Sequence, residues 1–231
     1  MSDYNKILNL YPKKRINLDL NYQKIYENHY IHNREGKGIG NYLSKVMESW
    51  MHKKVASVIK KDILEIGAGN INHLRYEKNY LNYDIVEPFE NLYRNNPQKK
   101  KIRNIFSSLH QVNNKYDKII SIAVLEHLTN LPNEIQLCKK LLKDDGIFQV
   151  AIPCEGEFAF KLGWMLTTAI SFKLKYKLDY SRIIEYEHVN TMDEIITILK
   201  HHFNIKKIKR SPFILPFKNL SFYAYLECEH M

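Results

Sequence analysis

The stretch Ile63-Leu64-Glu65-Ile66-Gly67-Ala68-Gly69-Asn70 constrains this chain more than any other. Four residues that read as a buried strand run straight into Gly-x-Gly, which predicts the strand-turn-helix entry of a doubly wound α/β domain. A glycine accepts positive φ without a steric penalty and carries no side chain, so a ligand can lie against the backbone where the strand ends. The amides of the following helix are then expected to face that ligand.

The glycine pattern also narrows the ligand. A dinucleotide fingerprint requires a third glycine three positions on, where Asn72 stands, and a phosphate loop requires Gly-Lys-Ser/Thr, which does not follow. A second strand is predicted over Leu81 to Val86, ending at Glu87-Pro88. That is about 20 residues beyond the glycines, where nucleotide-type folds place the acid that accepts from both ribose hydroxyls. The motif from Ile63 to Gly69 resembles the first motif of class I S-adenosylmethionine-dependent methyltransferases, hydrophobic-hydrophobic-Asp/Glu-hydrophobic-Gly-x-Gly, and the cofactor of that family has no phosphate.

From Lys61 onward strand and helix patterns alternate, as in a mostly parallel sheet with helices on both faces. Expected elements are a short helix over Phe89 to Asn96, a third strand over Lys101 to Phe106, a fourth over Tyr116 to Ile122, a helix over Pro132 to Leu142 and a fifth strand over Ile147 to Ile152. A Thr191-Met192-Asp193-Glu194 capping box then opens a helix to His201, followed by antiparallel strands over Ile205 to Lys209 and Ser221 to Glu227. The resemblance implies a Rossmann-like sheet of seven strands with an antiparallel C-terminal strand. Residues 1–60, with helices predicted over Asp19 to Ile31 and Asn41 to Lys60, form an N-terminal helical cap segment. By the same resemblance residues 61–231 are expected to form the methyltransferase domain, with a lid insertion at about 155–187.

By the same resemblance S-adenosyl-L-methionine is the expected cofactor, held by Glu65, Gly67, Ala68, Gly69, Glu87 and Pro88, with Ser107 and Ser108 beside the adenine and Ala123 bordering the pocket. Family members usually carry an acid near Ser107, so this chain departs from the pattern there. The glycine-rich loop around Arg34 is a candidate for the cofactor carboxylate or the substrate, with a plain helix connector as the alternative. Tyr176, Tyr180, Arg182 and Tyr186 of the insertion are candidates for holding an acceptor.

The string Val124-Leu125-Glu126-His127-Leu128 follows the fourth strand, where open α/β sheets bind ligands. It resembles small-molecule O-methyltransferases and also small-RNA 2′-O-methyltransferases. The metal-using relatives carry a further Glu where this chain has Ala123. Glu126, His127 and His188 would supply three ligands, and the expectation is nevertheless a metal-free site. His127 is the candidate general base, its ordinary pKa of about 6.5 suiting proton transfer near neutral pH. Glu126 either orients it or packs on the N-terminal segment, and His188 completes the candidate catalytic set. Cys154, after the fifth strand, is not expected to be a nucleophile.

Of 35 basic residues only 7 are arginine, and the net charge is +10. That balance favours a small anionic acceptor over nucleic acid, because arginine is the usual reader of phosphates and bases. Three cysteines suggest neither a disulfide framework nor a zinc site, and no signal-peptide pattern opens the chain, so a cytoplasmic protein without a transmembrane segment is expected. The insertion and the Glu187-His188-Val189-Asn190-Thr191 string look like methyltransferases encoded among bacterial surface-polysaccharide genes. An RNA methyltransferase and a noncatalytic subunit with the same fold are the alternatives.

Overall fold

The computed structural model describes residues 3–26, 40–154, 169–211 and 221–231, with side chains throughout except at 40–47 and 171. Arg34 and most of the predicted lid lie outside the described residues. Seven strands form one sheet in the order β3-β2-β1-β4-β5-β7-β6. These are β1 (Asp62–Ile66), β2 (Asn82–Val86), β3 (Ile105–Phe106), β4 (Tyr116–Ile122), β5 (Leu142–Pro153), β6 (Asn204–Ser211) and β7 (Tyr223–Glu229). β1 pairs in parallel with β2 and β4, while β7 runs antiparallel to both β5 and β6. The strand order reverses between β1 and β4, so a crevice opens at the carboxyl ends of these two strands.

The central strands are apolar at successive positions because each face has its own helices to bury. Leu64, Ile119 and Val150 point to one face with Ile135 and Cys138 of α4 (Leu131–Leu141), the next α-helix after the short α3 (Glu90–Tyr93), and with Ile195 and Leu199 of α7 (Met192–His202). Ile63, Ile120 and Ala151 point to the other, with Met51 and Val55 of α2 (Gly40–Val55). Each buried aliphatic side chain contributes about 1.5–3 kcal/mol of transfer free energy. The predicted capping box forms: the Thr191 hydroxyl accepts from the Glu194 amide and the Glu194 carboxylate accepts from the Thr191 amide. All three cysteines are buried and unbridged, and Cys154 at the end of β5 is fully inaccessible.

Three expectations are corrected, and one further helix comes to light. No α-helix follows the glycine loop; Gly67 and Gly69 are joined at positive φ by Ile71 at 55°, and only a single 3-10 turn, Leu74–Tyr76, comes before β2. Three left-handed residues within five positions interrupt the helical path. The third strand is confined to Ile105–Phe106, because Pro97–Lys101 turns as a 3-10 helix started by the Asn96 side chain. α2 stops at Val55 rather than running to Lys60, and the fully buried Lys118 ammonium donates to the carbonyls of Val55 and Val58 at 2.9 Å each. Finally, a short helix α1 (Asp3–Leu8) packs against α7, with Tyr4 stacked on His201 at 3.5 Å.

Between α1 and a helical stretch at 20–26 the chain forms neither helix nor strand. Tyr11, Lys13 and Arg15 are half-buried while Pro12 and Lys14 are exposed, so alternate side chains of this strap face the body of the protein. Leu18 and Tyr22 then join Phe172 of α5 (Ile170–Tyr176) and Ile183 of α6 (Ser181–Glu187) in a separate apolar cluster.

Candidate active site

The bend after β1 has two halves with different reasons for glycine. Gly67 has φ of 66°, and a Cβ built there would stand 2.4 Å from Cγ2 of Val124, so the missing side chain makes room for the segment leaving β4. Gly69 has φ of 51°, and its amide donates to Glu87 Oε2 at 2.7 Å. The other oxygen of Glu87 accepts from the Phe89 amide at 3.0 Å. The carboxylate at the end of β2 is thus clamped onto the glycine loop with further acceptor sites to offer, since two oxygens carry about four lone-pair directions.

The remaining predicted cofactor residues are placed less uniformly. Glu65 is buried and accepts from the Tyr83 hydroxyl at 2.7 Å. Burial pushes its carboxyl up to about 8, so near neutral pH it is mostly uncharged. Ala68 is buried in the loop, Pro88 is exposed at its rim, and Ala123 takes a positive φ of 53° as the chain turns off β4. Ser107 donates its amide and hydroxyl to Gln111, and the Ser108 hydroxyl accepts from the His110 amide, so both serines build a local turn.

Beyond Val124 the chain makes a 3-10 turn, Leu125–His127, that carries the predicted catalytic pair. The two segments bearing the histidines are stitched together here: the amides of Val189 and Asn190 donate to the Glu126 carbonyl, and the Asn190 side chain donates to the carbonyls of Leu125 and Leu128. The rings of His127 and His188 meet edge to face at 4.8 Å. His127 Nδ1 lies 2.8 Å from the Glu187 carbonyl, an acceptor only, so Nδ1 carries the proton and the neutral ring keeps its lone pair at Nε2. That Nε2 is 3.8 Å from Oε1 of the buried Glu126. Among the described residues, Glu126, His127 and His188 present ligand atoms all within 4.8 Å of one another, a set that could also hold a divalent cation.

Sequence reasoning missed the strap. The Tyr11 hydroxyl donates to Asn190, Lys13 donates to the Val189 carbonyl and Glu194, and Arg15 donates to the carbonyls of Tyr186, Glu187 and His127. Its signal was the alternation of Tyr11, Lys13 and Arg15 with Pro12 and Lys14. Of the predicted acceptor-holding residues, Tyr180 is buried in the apolar cluster with Phe172, with Tyr176 packed against that cluster. Arg182 pairs with Glu185 on the surface, and Tyr186 lies under the Arg15 guanidinium.

A family model for methyltransferase domains matches residues 37–195. The chain belongs to the methyltransferase-domain family. The glycine bend and the carboxylate clamped to it fit a nucleoside that offers ribose hydroxyls and no phosphate. Among solved structures it is similar to the N-methyltransferase NodS of Bradyrhizobium japonicum WM9 in complex with S-adenosyl-L-homocysteine, at 12% identity and TM-score 0.56 over 92% of this chain and 99% of that one. It is also similar to the mitomycin 7-O-methyltransferase MmcR, at 9% identity and TM-score 0.55 over 100% of this chain and 61% of that one. These likenesses concern the fold. An uncharacterised protein of Methanocaldococcus jannaschii is 29% identical over 137 residues, 53% of this chain and 54% of that protein, so the chain matches about half the length of this relative. Among the described residues no helix is long and apolar enough to cross a membrane.

Proposed function

We propose that this methyltransferase methylates a hydroxyl of a small, polar, anionic metabolite, with His127 as the general base. The acceptor class we favour is a sugar, nucleotide-linked sugar or phosphorus-containing precursor of a surface polysaccharide. The observation that carries the reading is the 2.8 Å contact of His127 Nδ1 with the Glu187 carbonyl, which calls for the proton on Nδ1 and makes Nε2 the basic nitrogen, three residues from the Val124 that packs on Gly67. A hydroxyl is a poor nucleophile until its proton is taken, and a neutral imidazole nitrogen is suited to take it.

When bound, S-adenosylmethionine supplies an electrophilic methyl carbon and a thioether leaving group. The glycine loop and Glu87 hold the nucleoside end, with the two free lone-pair directions of Glu87 available to the ribose hydroxyls. His127 receives the acceptor's proton at Nε2, and the nearby Glu126 carboxylate stabilises the imidazolium that forms. The net charge of +10 supports an anionic acceptor.

The test is transfer of labelled methyl from S-adenosylmethionine into a small-molecule pool, with cofactor affinity measured separately by calorimetry. His127→Ala is expected to lower turnover by about 10²–10⁴-fold at unchanged cofactor affinity. Undiminished turnover removes His127 from the role, and label arriving in RNA overturns the acceptor class. The convergence of Glu126, His127 and His188 favours a second reading, in which a divalent cation held there activates the acceptor oxygen. Loss of turnover on chelation, restored by Mn²⁺, would select it.

A further inference from the structure

We propose that Arg15 is a positioning residue that sets the tautomer of His127 from the opposite end of the chain. The proposal rests on the reading of His127 as base. Helix α6 ends at Glu187, and the last carbonyls of a helix have no partner within it. Arg15 supplies one from 171 residues away: Nη1 donates to the Tyr186 carbonyl at 2.6 Å and to the Glu187 carbonyl at 3.1 Å. Its Nη2 donates to the His127 carbonyl at 2.8 Å. A cation at a helix C-terminus is favourable in itself.

The Glu187 carbonyl is shared, accepting from Arg15 on one side and from His127 Nδ1 on the other. One planar guanidinium therefore fixes the acceptor that selects the His127 tautomer, and also holds the backbone of His127 itself. Tyr186 stacks beneath it, with the guanidinium carbon 5.4 Å from the ring centroid. Lysine offers a point charge and cannot span these three carbonyls in one plane. Without the fork the Glu187 carbonyl loses its fixed direction, and the neutral imidazole is free to carry its proton on Nε2, where it cannot act as a base.

The test reads the tautomer directly and needs no acceptor. Full-length protein labelled with ¹⁵N-histidine is recorded by long-range ¹H–¹⁵N correlation at about pH 9, where a histidine of ordinary pKa is neutral, with His127→Gln assigning the signal. Wild type is expected to show the proton on Nδ1. Arg15→Ala is expected to move at least half of the population to Nε2, Arg15→Lys to move a smaller share, and added guanidinium ion to restore Nδ1 in the alanine variant. Calorimetry with S-adenosylmethionine should give the same affinity for all three proteins. An unchanged tautomer in folded Arg15→Ala overturns the proposal. If that variant does not fold, an unchanged tautomer in Arg15→Lys does so. Full turnover by His127→Ala would instead sink the function proposed for the histidine while leaving the tautomer result standing.

Discussion

At the scale of single residues, the acid of the first motif behaves differently from its neighbour at the end of β2. Glu87 is held by two backbone amides, whereas Glu65 sits in the apolar interior with one hydroxyl partner, and burial pushes it up to about 8. Close by, His73 donates to Glu77 and contacts His52, and burial pushes its imidazole down to about 4. In the unfolded chain the two titrate near their ordinary values of 4.5 and 6.5. Between 4.5 and 6.5 the native state gains a proton at Glu65 and lacks one at His73 relative to the unfolded state, so the two effects on stability cancel. From 6.5 to about 8 only the Glu65 difference remains. The native state there binds more protons, and stability falls as pH rises by up to about 1.4 kcal/mol per unit. Urea denaturation of the cofactor-free protein is expected to show this decline, and Glu65→Gln is expected to remove it. A decline of the same size in the variant would contradict the assignment.

At the scale of elements, periodicity located the sheet because a strand covered on both faces leaves a run of apolar residues that little else explains. The fourth strand was legible to the residue, and Thr191 and Glu194 announced α7. The irregular pieces were not legible, because their causes are single side chains reaching across the fold. Lys118 reads as a polar position in an apolar strand, yet it is fully buried and donates to Val55, Val58 and, at 2.7 Å, Glu77. It terminates α2 and neutralises the buried Glu77 in one arrangement, and Glu77 passes the connection on to His73 and His52 of α2. Breaking a buried pair from one side leaves an uncompensated charge, so Lys118→Met is expected to cost about 3–5 kcal/mol in chemical denaturation. Adding Glu77→Gln should recover part of that loss. A double variant no more stable than the single would show that Lys118 acts on the α2 carbonyls alone.

At the scale of the molecule, the sheet order brings the ends of β1, β2 and β4 together, and the chain's two remote segments complete the same edge. Residues 11–15 bind the turn after β4 and the segment after α6, while residues 16–26 share an apolar cluster with α5 and α6. The bend at Gly67–Gly69 and the place of Glu87 at the end of β2 were legible from spacing alone, since glycines and a strand-end acid are local signals. The half around His127 was legible only as residue types, because the contacts that orient them come from Arg15 and Asn190, distant in sequence and ordinary in composition. The whole account stands on the bend at Gly67–Gly69 and the carboxylate of Glu87 forming one cradle for the cofactor. Isothermal calorimetry with S-adenosylmethionine measures it most directly. Wild type is predicted to bind one equivalent saturably, and folded Glu87→Ala to bind at least about 10-fold more weakly, a difference of about 1.4 kcal/mol. Equal affinity in the two proteins, or no saturable binding by folded wild type, would contradict it.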